Sequence, residues 1–279
     1  MKQIPLITLT TDFGTADGYV GTMKGVILSI ASNARLVDIT HHIAPQDVRQ
    51  AAYVLYTAYS FFPPHTVHLV VVDPGVGSAR RPIALRTAGG VFVGPDNGVF
   101  SYVMVNENEP VEVIVELTDP CYRLPQVSHT FHGRDVFAPA AAHLAAGVPI
   151  TDLGPPVRDP VTFPPPRLEI TDDSISGEVL HTDHFGNVVT SIGRLAWSGD
   201  TLSLKETGGK KRARFTASES AIVVAGQKIA GVHHTYAEVE LGEVLALVGS
   251  EGYLEIAVRE GSAARKLGLC PGNAVTLRI

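Results

Sequence analysis

An aspartate and an arginine, seven residues apart, flank the turn that ends an apolar run. The run at residues 69–72 stops at Asp73, a Pro-Gly turn begins there, and Arg80 follows the turn. A β-branched run of this kind is typical of a buried strand. Because open α/β sheets bind ligands at the carboxyl ends of their strands, Asp73 and Arg80 are candidates for holding a small polar molecule. Turn capping by Asp73 is the simpler interpretation of this motif alone.

A histidine in the segment 131–135 is a further candidate. His132 directly precedes a predicted helix, and Arg134 and Asp135 follow it. An imidazole at the edge of a sheet can serve as a general base or as a hydrogen-bond donor. Asp135 is most simply interpreted as the N-cap of the helix.

Two other segments carry groups suited to a nucleoside and an amino acid. Asp12 follows the first predicted strand, where a carboxylate can accept hydrogen bonds from a ribose diol. Around residues 181–190, Asp183 offers an acceptor for an ammonium, Phe185 a stacking face and Asn187 a bidentate edge for a purine. A plain hairpin turn also explains that segment. The sequence has neither GxGxxG nor GxxxxGK[ST], so dinucleotide and phosphate-loop folds are not supported.

Strands and helices that alternate along the first half must position these groups. The apolar pattern predicts strands near residues 4–9, 36–39 and 67–72, and helices near residues 19–31, 47–62 and 135–146. Asp47 is placed to cap the second helix, and Asp17 is a candidate cap for the first. This alternation predicts an α/β domain with a largely parallel sheet.

A proline-rich segment divides the chain into two predicted domains. Residues 154–166 hold six prolines, which cannot continue a helix or a central strand. We therefore expect an α/β catalytic domain at 1–154, a linker at 155–167 and a second domain at 168–279. Short β-rich runs separated by glycine-rich turns predict that the second domain is smaller, all-β and barrel-like.

The composition excludes several classes of protein. The net charge of −6 argues against a nucleic-acid binder, and the basic cluster of Lys210, Lys211, Arg212 and Arg214 is expected to be an exposed hairpin. The chain has two distant cysteines and no CxxC pair, which suits a reducing compartment and excludes a thiolate zinc site. We see neither a signal peptide nor a membrane-spanning run. A soluble, cytoplasmic protein is the expectation.

Five ordered motifs resemble those of one family. They lie at residues 10–14, 72–77, 94–98, 130–135 and 183–190. Their order and spacing are similar to those of the S-adenosyl-L-methionine (SAM) hydroxide adenosyltransferases, formerly the domain-of-unknown-function 62 family and relatives of the fluorinase and chlorinase. The resemblance covers essentially the whole chain, so it also implies the family's fold of an α/β domain followed by a β-barrel-like domain.

The resemblance also implies roles for particular residues. The family's water-activating aspartate, arginine and histidine fall on Asp73, Arg80 and His132. Arg81 competes with Arg80 for this match, but the seven-residue offset favours Arg80. The implied substrate-binding residues are Asp12 for the ribose, Asp183 for the methionine ammonium, Phe185 for the pocket wall, Asn187 for adenine and Ser250 for the carboxylate. At Glu251 the halogenases carry an arginine, which leaves carboxylate recognition open.

The implied reaction is hydrolysis of SAM by water or hydroxide attack at the ribose C5′, giving adenosine and L-methionine. The resemblance implies neither a metal nor a cofactor, since SAM is the substrate. It further implies a homotrimer in which one subunit's first domain and its neighbour's second domain form each site. Neither nucleic acid nor a membrane is expected as a partner.

Three alternatives stay open at this point. A halogenase of the same family is disfavoured because a carboxylate at Asp73 would repel a halide by about 1–4 kcal/mol, because Gly133 stands where those enzymes have serine, and because the connection at 87–90 is short. A non-catalytic nucleoside-binding module would explain Asp12 and Asn187 but not the other motifs. A metal-dependent hydrolase would use Asp12, His41, His42, Asp73 and Asp96.

Overall fold

The chain forms two compact units, Met1–Phe163 and Pro164–Ile279. The structure is a computed structural model and describes residues 4–106, 108–205 and 212–279. Lys210 and Lys211 of the predicted basic hairpin lie outside the described residues. In the described part of the chain no helix has both the length and the apolar character needed to cross a bilayer.

The amino-terminal unit is built on a six-stranded sheet, and the predicted α/β class is confirmed. The sheet order is β2-β1-β3-β5-β4-β6; β2, β1, β3 and β5 run parallel, whereas β4 is antiparallel to β5 and β6. The strands are β1 (Leu6–Thr11), β2 (Arg35–Thr40), β3 (Val67–Val71), β4 (Pro82–Thr87), β5 (Gly90–Pro95) and β6 (Val113–Glu116).

Helices cover both faces of this sheet. They are α1 (Tyr19–Ile30), α2 (Val48–Tyr59), α3 (Ser101–Met104) and α4 (Ala138–Ala145), with 3₁₀ turns at Pro120–Tyr122 and Ile150–Leu153. Side chains of β3 alternate between the two faces, as a strand requires. Leu69 and Val71 pack with α1 and α4, whereas Val70 packs with α2 and α3. β3 is therefore buried on both faces, which explains its continuous apolar run.

The parallel strands end at one edge of the sheet and present three aspartates there. Asp12 directly follows β1, Asp73 follows β3 after one residue, and Asp96 directly follows β5. Because parallel strands point the same way, their carboxyl ends share an edge. The sheet thus gathers at one edge three of the motifs that were far apart in the sequence.

Two of the three predicted helix caps are wrong. Asp47 caps α2 by accepting a hydrogen bond from the Gln50 amide, as predicted. The N-cap of α1 is Gly18, without a side-chain cap, so Asp17 does not cap it. Asp135 is not an N-cap either, because it lies inside a π-helical turn, Gly133–Phe137, that precedes α4.

Pro139 gives a physical reason for this π-helical turn. Proline lacks an N–H, and its ring clashes with the carbonyl four residues earlier, which here belongs to Asp135. That carbonyl instead accepts a hydrogen bond of 2.9 Å from the Leu124 amide. The Asp135 side chain is fully buried and accepts from both the amide and the hydroxyl of Ser128. Asp135 therefore anchors the loop that leads to His132.

The carboxyl-terminal unit is all-β, as predicted. Its larger sheet has the order β14-β13-β17-β8-β9-β16-β15 with β7 beside β8, and β10-β11-β12 form a smaller sheet. The backbone amide of His233 donates a hydrogen bond of 2.8 Å to the Ala246 carbonyl. This bond links the segment after β14 to β15 and nearly closes the larger sheet into a barrel. The strands are β7 (Leu168–Ile170), β8 (Ser174–Thr182), β9 (Val188–Thr190), β10 (Leu195–Ser198), β11 (Thr201–Lys205), β12 (Arg212–Thr216), β13 (Ala221–Val224), β14 (Gln227–Ala230), β15 (Val244–Val248), β16 (Leu254–Val258) and β17 (Ala274–Arg278); α5 (Ala263–Leu267) and a 3₁₀ turn (Tyr236–Glu238) complete the unit.

Candidate active site

The turn after β3 closes on itself through an ion pair. Arg80 Nε donates to both carboxylate oxygens of Asp73 at 2.9 Å, and Arg80 Nη2 also contacts Asp73 Oδ2. Only 5% of the Asp73 side chain and 9% of the Arg80 side chain are exposed. A charge-assisted pair with this little water around it fixes both groups in orientation.

A glycine lets this turn approach the segment that carries His132. Gly77 has a φ of +76°, and a Cβ at this position would lie 2.6 Å from the carbonyl oxygen of His129. Both the conformation and the space therefore require glycine. The Asp73–Arg80 turn and the 129–132 segment are in contact for this reason.

Arg80 also joins His132 to the ion pair. Its Nη2 donates to His132 Nδ1 at 2.8 Å. A guanidinium has only donors, so Nδ1 must be the acceptor and the neutral ring carries its proton on Nε2. Arg80 thus links a carboxylate to an imidazole whose remaining polar group is an N–H donor.

Burial and charge keep this imidazole neutral. Desolvation lowers the pKa of His132 below its ordinary value of 6.5, and the Arg80 charge lowers it further. Asp73 and Asp135 act in the opposite direction and Arg123 adds to the lowering. At neutral pH the group is therefore a hydrogen-bond donor through Nε2 rather than a cation.

Asp12 lies at the same sheet edge, beside an aromatic cluster. One oxygen of its half-buried carboxylate accepts from the Gln46 amide at 2.8 Å. Phe13, Tyr19 and Phe131 form the cluster, with ring centroids 5.2–5.8 Å apart. A carboxylate with free acceptor capacity next to apolar rings suits a sugar with an attached aromatic base.

Arg81, the competing match, points to a different partner. It binds Asp96 (Nε to Oδ2, 2.8 Å) and Asp159 (Nη1 to Oδ1, 2.8 Å). It therefore ties the end of β5 to the proline-rich segment, while Arg80 holds Asp73.

The residues of the metal-hydrolase alternative are dispersed among other partners. His41 Nδ1 pairs with the Thr11 hydroxyl at 2.9 Å, and His41 Nε2 lies 3.1 Å from Asp38. Asp73 and Asp96 are each held by an arginine. Across the described residues, groups of three or more His, Cys, Asp or Glu side chains nowhere meet in a way that suits a metal ion. This arrangement argues against that alternative.

In the carboxyl-terminal unit, Asp183 and Asn187 bind each other. Asp183 Oδ1 accepts from the amides of Phe185 and Asn187 at 2.9 and 2.8 Å, and Oδ2 accepts from Asn187 Nδ2 at 2.9 Å. Asn187 Nδ2 also lies 3.4 Å from the Tyr236 hydroxyl. With both Nδ2 hydrogens directed at protein acceptors, Oδ1 is the atom that this amide offers to a ligand. The sequence predicts that Asn187 offers both a donor and an acceptor to a purine, whereas the structure leaves only the acceptor Oδ1 available.

Phe185 and Ser250 are both at the surface of this unit. Phe185 is 75% exposed, with its ring edge-on to His184 at 5.6 Å. The exposed Ser250 hydroxyl lies 3.4 Å from Glu251 Oε1. The exposed Phe185 ring has an apolar face that can pack against a ligand or a partner.

Glu255 is a residue that the sequence reasoning did not single out. It lies on β16 under Gly249, where a Cβ would come within 1.8 Å of the Glu255 carboxylate. Burial, and then the charges of Asp183 and Glu251, raise the pKa of Glu255 to about 7. A lone acidic residue inside the apolar run of β16 was the available signal. This surface is electronegative, which suits a cationic ligand group better than a carboxylate.

Comparisons with known proteins agree on one family. The model described as the SAM hydroxide adenosyltransferase N-terminal domain matches residues 7–154, and the model of the C-terminal domain matches residues 177–276. The chain is 42% identical to the (R)-S-adenosyl-L-methionine hydrolase of Salinispora tropica, covering 98% of this chain and 97% of that protein. A fluorinase of Actinopolyspora mzabensis is 28% identical over 97% of this chain and 96% of its own length. The crystal structure of an uncharacterized conserved protein from Thermotoga maritima has a TM-score of 0.84 at 34% identity, covering 97% of this chain and 99% of that one.

Proposed function

Since the chain belongs to the SAM hydroxide adenosyltransferase family, we propose that it hydrolyses SAM to adenosine and L-methionine. The observation that carries this proposal is the link Asp73–Arg80–His132 at the carboxyl end of β3. In this link Arg80 holds both the Asp73 carboxylate, which is an acceptor, and the His132 imidazole, which is a donor through Nε2, in a site with little exposure to water.

The reaction needs only an oxygen nucleophile in line with the bond that breaks. The water oxygen forms a bond to C5′ while the C5′–S bond breaks. The electron pair of the C5′–S bond stays on sulfur, which becomes the neutral thioether of methionine. The water proton passes to a carboxylate oxygen of Asp73. Because the sulfonium charge disappears along the reaction, a dry site favours the transition state. The main task of the protein is to place the water about 3 Å from C5′.

The three linked residues divide this task. A water molecule can donate to Asp73 and accept from the Nε2–H of His132, which directs a lone pair toward C5′. Arg80 holds both partners and has its charge balanced by Asp73. The Asp73 carboxylate would repel a halide at this place, so the site favours water over a halide as the nucleophile.

Further residues are proposed to bind the substrate. Asp12 would accept from the ribose hydroxyls, and Asn187 Oδ1 would accept from the adenine amino group. Asp183 uses three of about four acceptor positions within the protein, which leaves capacity for the methionine ammonium. Phe185 would cover the ligand. We retain Ser250 as the candidate for the carboxylate, although the acidic neighbours Glu251 and Glu255 oppose that role.

We propose that the two sets of residues meet across subunits of a homotrimer. Asp12 and Asp73 lie in one unit of the chain, and Asp183 and Asn187 lie in the other. Large aromatic side chains next to both sets are exposed, with 49% of Tyr19 and 75% of Phe185 accessible. Burial of such rings against a second copy would stabilise an oligomer. The cytoplasmic location expected from the sequence stays a prediction.

Turnover of purified protein with each sulfonium epimer of SAM tests the proposal. We expect adenosine and methionine in equal amounts, without added cofactor and after EDTA treatment, with preference for the (R) epimer that gives the 42% identical relative its name. The D73N variant should bind SAM in calorimetry but lose turnover, whereas D17N, at an exposed aspartate, should match the wild type. Wild-type protein that binds neither epimer, or D73N with full turnover, would contradict the proposal.

A further inference from the structure

The guanidinium of Arg80 has an aromatic ring beside it as well as its polar partners. Arg80 Cζ lies 5.1 Å from the centroid of the Phe137 ring. Phe137 is fully buried and belongs to the core between the sheet and helices α1 and α4. A cation at this distance from a ring face is attracted by the ring quadrupole, and more strongly when water is excluded.

The π-helical turn explains why His132 and Phe137 both reach Arg80. The turn is closed by a hydrogen bond from the Ala138 amide to the Gly133 carbonyl, five residues apart. Such i to i+5 bonding widens the turn, so that residues five apart lie more nearly on the same side of the helix. His132 and Phe137 are five apart. In a regular α-helix, with 3.6 residues per turn, they would diverge.

We propose that Phe137 is a positioning residue for Arg80, brought beside the guanidinium by the π-helical turn that also presents His132. This inference rests on the proposed function, because Arg80 matters only if it orders Asp73 and His132 for the reaction. Phe137 itself touches neither water nor substrate in this account. It acts through the orientation of Arg80.

The two kinds of contact restrict different motions of Arg80. The hydrogen bonds to Asp73 and His132 hold the edge of the planar guanidinium in position. The Phe137 ring blocks the space beside the guanidinium and limits tilting. An arginine side chain has several rotatable bonds and loses much rotamer freedom when it is ordered. A buried, rigid ring therefore reduces the number of alternative positions that Arg80 can adopt.

Leucine at position 137 tests the inference, because F137L keeps an apolar side chain and removes the ring. We expect kcat to fall roughly 10- to 100-fold, with KM for SAM changed less than twofold. The matched control is F100L, since Phe100 is equally buried but packs in the core on the opposite side of the sheet. We expect F100L to lose stability and keep kcat. If F137L does not fold, F137M refills the volume with a flexible side chain.

The His132 titration, followed by NMR, gives a second readout that does not depend on activity. Burial is the largest cause of the lowered pKa of His132; the charges of Arg80 and Arg123 lower it further, and those of Asp73 and Asp135 raise it. If Phe137 holds Arg80 in place, F137L lets Arg80 move away and the His132 pKa rises, whereas F100L leaves it unchanged. An F137L variant with unchanged kcat and unchanged His132 pKa would overturn the inference. Wild-type protein without SAM turnover would instead refute the proposed function, and the titration would still decide the role of Phe137.

Discussion

Arg80 donates from Nη2 to Nδ1 of His132 at 2.8 Å, and this bond fixes which nitrogen of the imidazole carries the proton. A guanidinium cannot accept, so the proton is on Nε2. The histidine is therefore set up as a donor to the nucleophile and not as its base. Asp73, which Arg80 holds through Nε and Nη2, is the available acceptor.

The R80K variant tests the bridging role of Arg80. Lysine offers a single point charge without the planar fork, so it cannot hold Asp73 and His132 together. We expect kcat to fall roughly 100-fold or more with a smaller change in KM. Adenosine release, followed by chromatography, measures the effect.

R81K is the matched control for R80K. Arg81 binds Asp96 and Asp159 and does not contact Asp73. This variant should lose some stability and keep kcat near the wild-type value. Equal losses of kcat in R80K and R81K would contradict the division of roles between the two arginines.

The pH dependence of kcat should report the neutral form of His132. Burial, and then the charge of Arg80, lower the pKa of His132 below 6.5. Protonation would place a hydrogen on Nδ1, opposite the Arg80 donor, and break the link. We therefore expect kcat to be independent of this group above pH 6.5 and to fall as the pH drops through the lowered pKa. An acid limb in log kcat centred above pH 6.5 would argue against the assignment.

Glu255 should make the folded protein less stable as the pH rises. Its pKa is raised from 4.5 to about 7, so its contribution is favourable below pH 4.5 and is lost as the pH rises through 7. The E255Q side chain cannot ionise, so this variant should not lose stability as the pH rises through 7. At pH 8 we expect the free energy of unfolding of E255Q, measured with denaturant, to exceed that of the wild type by about 1–2 kcal/mol after solvent screening. At pH 4.5 the two proteins should have the same free energy of unfolding.

An exposed glutamate provides the control for E255Q. Glu219 lies at the surface of the same unit, and E219Q should leave stability unchanged at both pH values. A gain in E255Q that is equal at pH 4.5 and pH 8 would show that the charge of Glu255 is not its cause.

Gly77 should be replaceable only at a cost to both stability and activity. Alanine there must adopt a φ of +76° and would clash with the His129 carbonyl. We expect G77A to lose about 1–3 kcal/mol and to have a lower kcat, because the Asp73–Arg80 turn must move away from His132. G147A is the control, since Gly147 also has a positive φ but has open space around it. A G77A variant with kcat and stability equal to those of G147A would contradict this account of the turn.

Much of the fold could be predicted because its local signals agree. The apolar run that became β3 and the Asp47 cap each have a local physical cause. The start of the helix at 135–146 was predicted wrongly. Pro139 was the visible signal there, but the outcome depended on a distant partner, the Leu124 amide, which takes the Asp135 carbonyl.

The candidate site was predictable as a set of residue types and not as a network. Spacing favoured Arg80 over Arg81, and the structure places Arg80 on Asp73. The hydrogen bond to His132 spans 52 residues and has no local signature. Phe137 has no local signature for its contact with Arg80 either, because the π-helical turn brings the ring beside the guanidinium.

The oxygen source of the adenosine tests the central claim most directly. The purified protein is incubated with SAM in ¹⁸O-labelled water, and both products are analysed by mass spectrometry. Attack of water at C5′ predicts that the label appears in the 5′-hydroxyl of adenosine and that methionine carries none. Unlabelled adenosine, label in methionine alone, or the absence of adenosine would contradict the assignment.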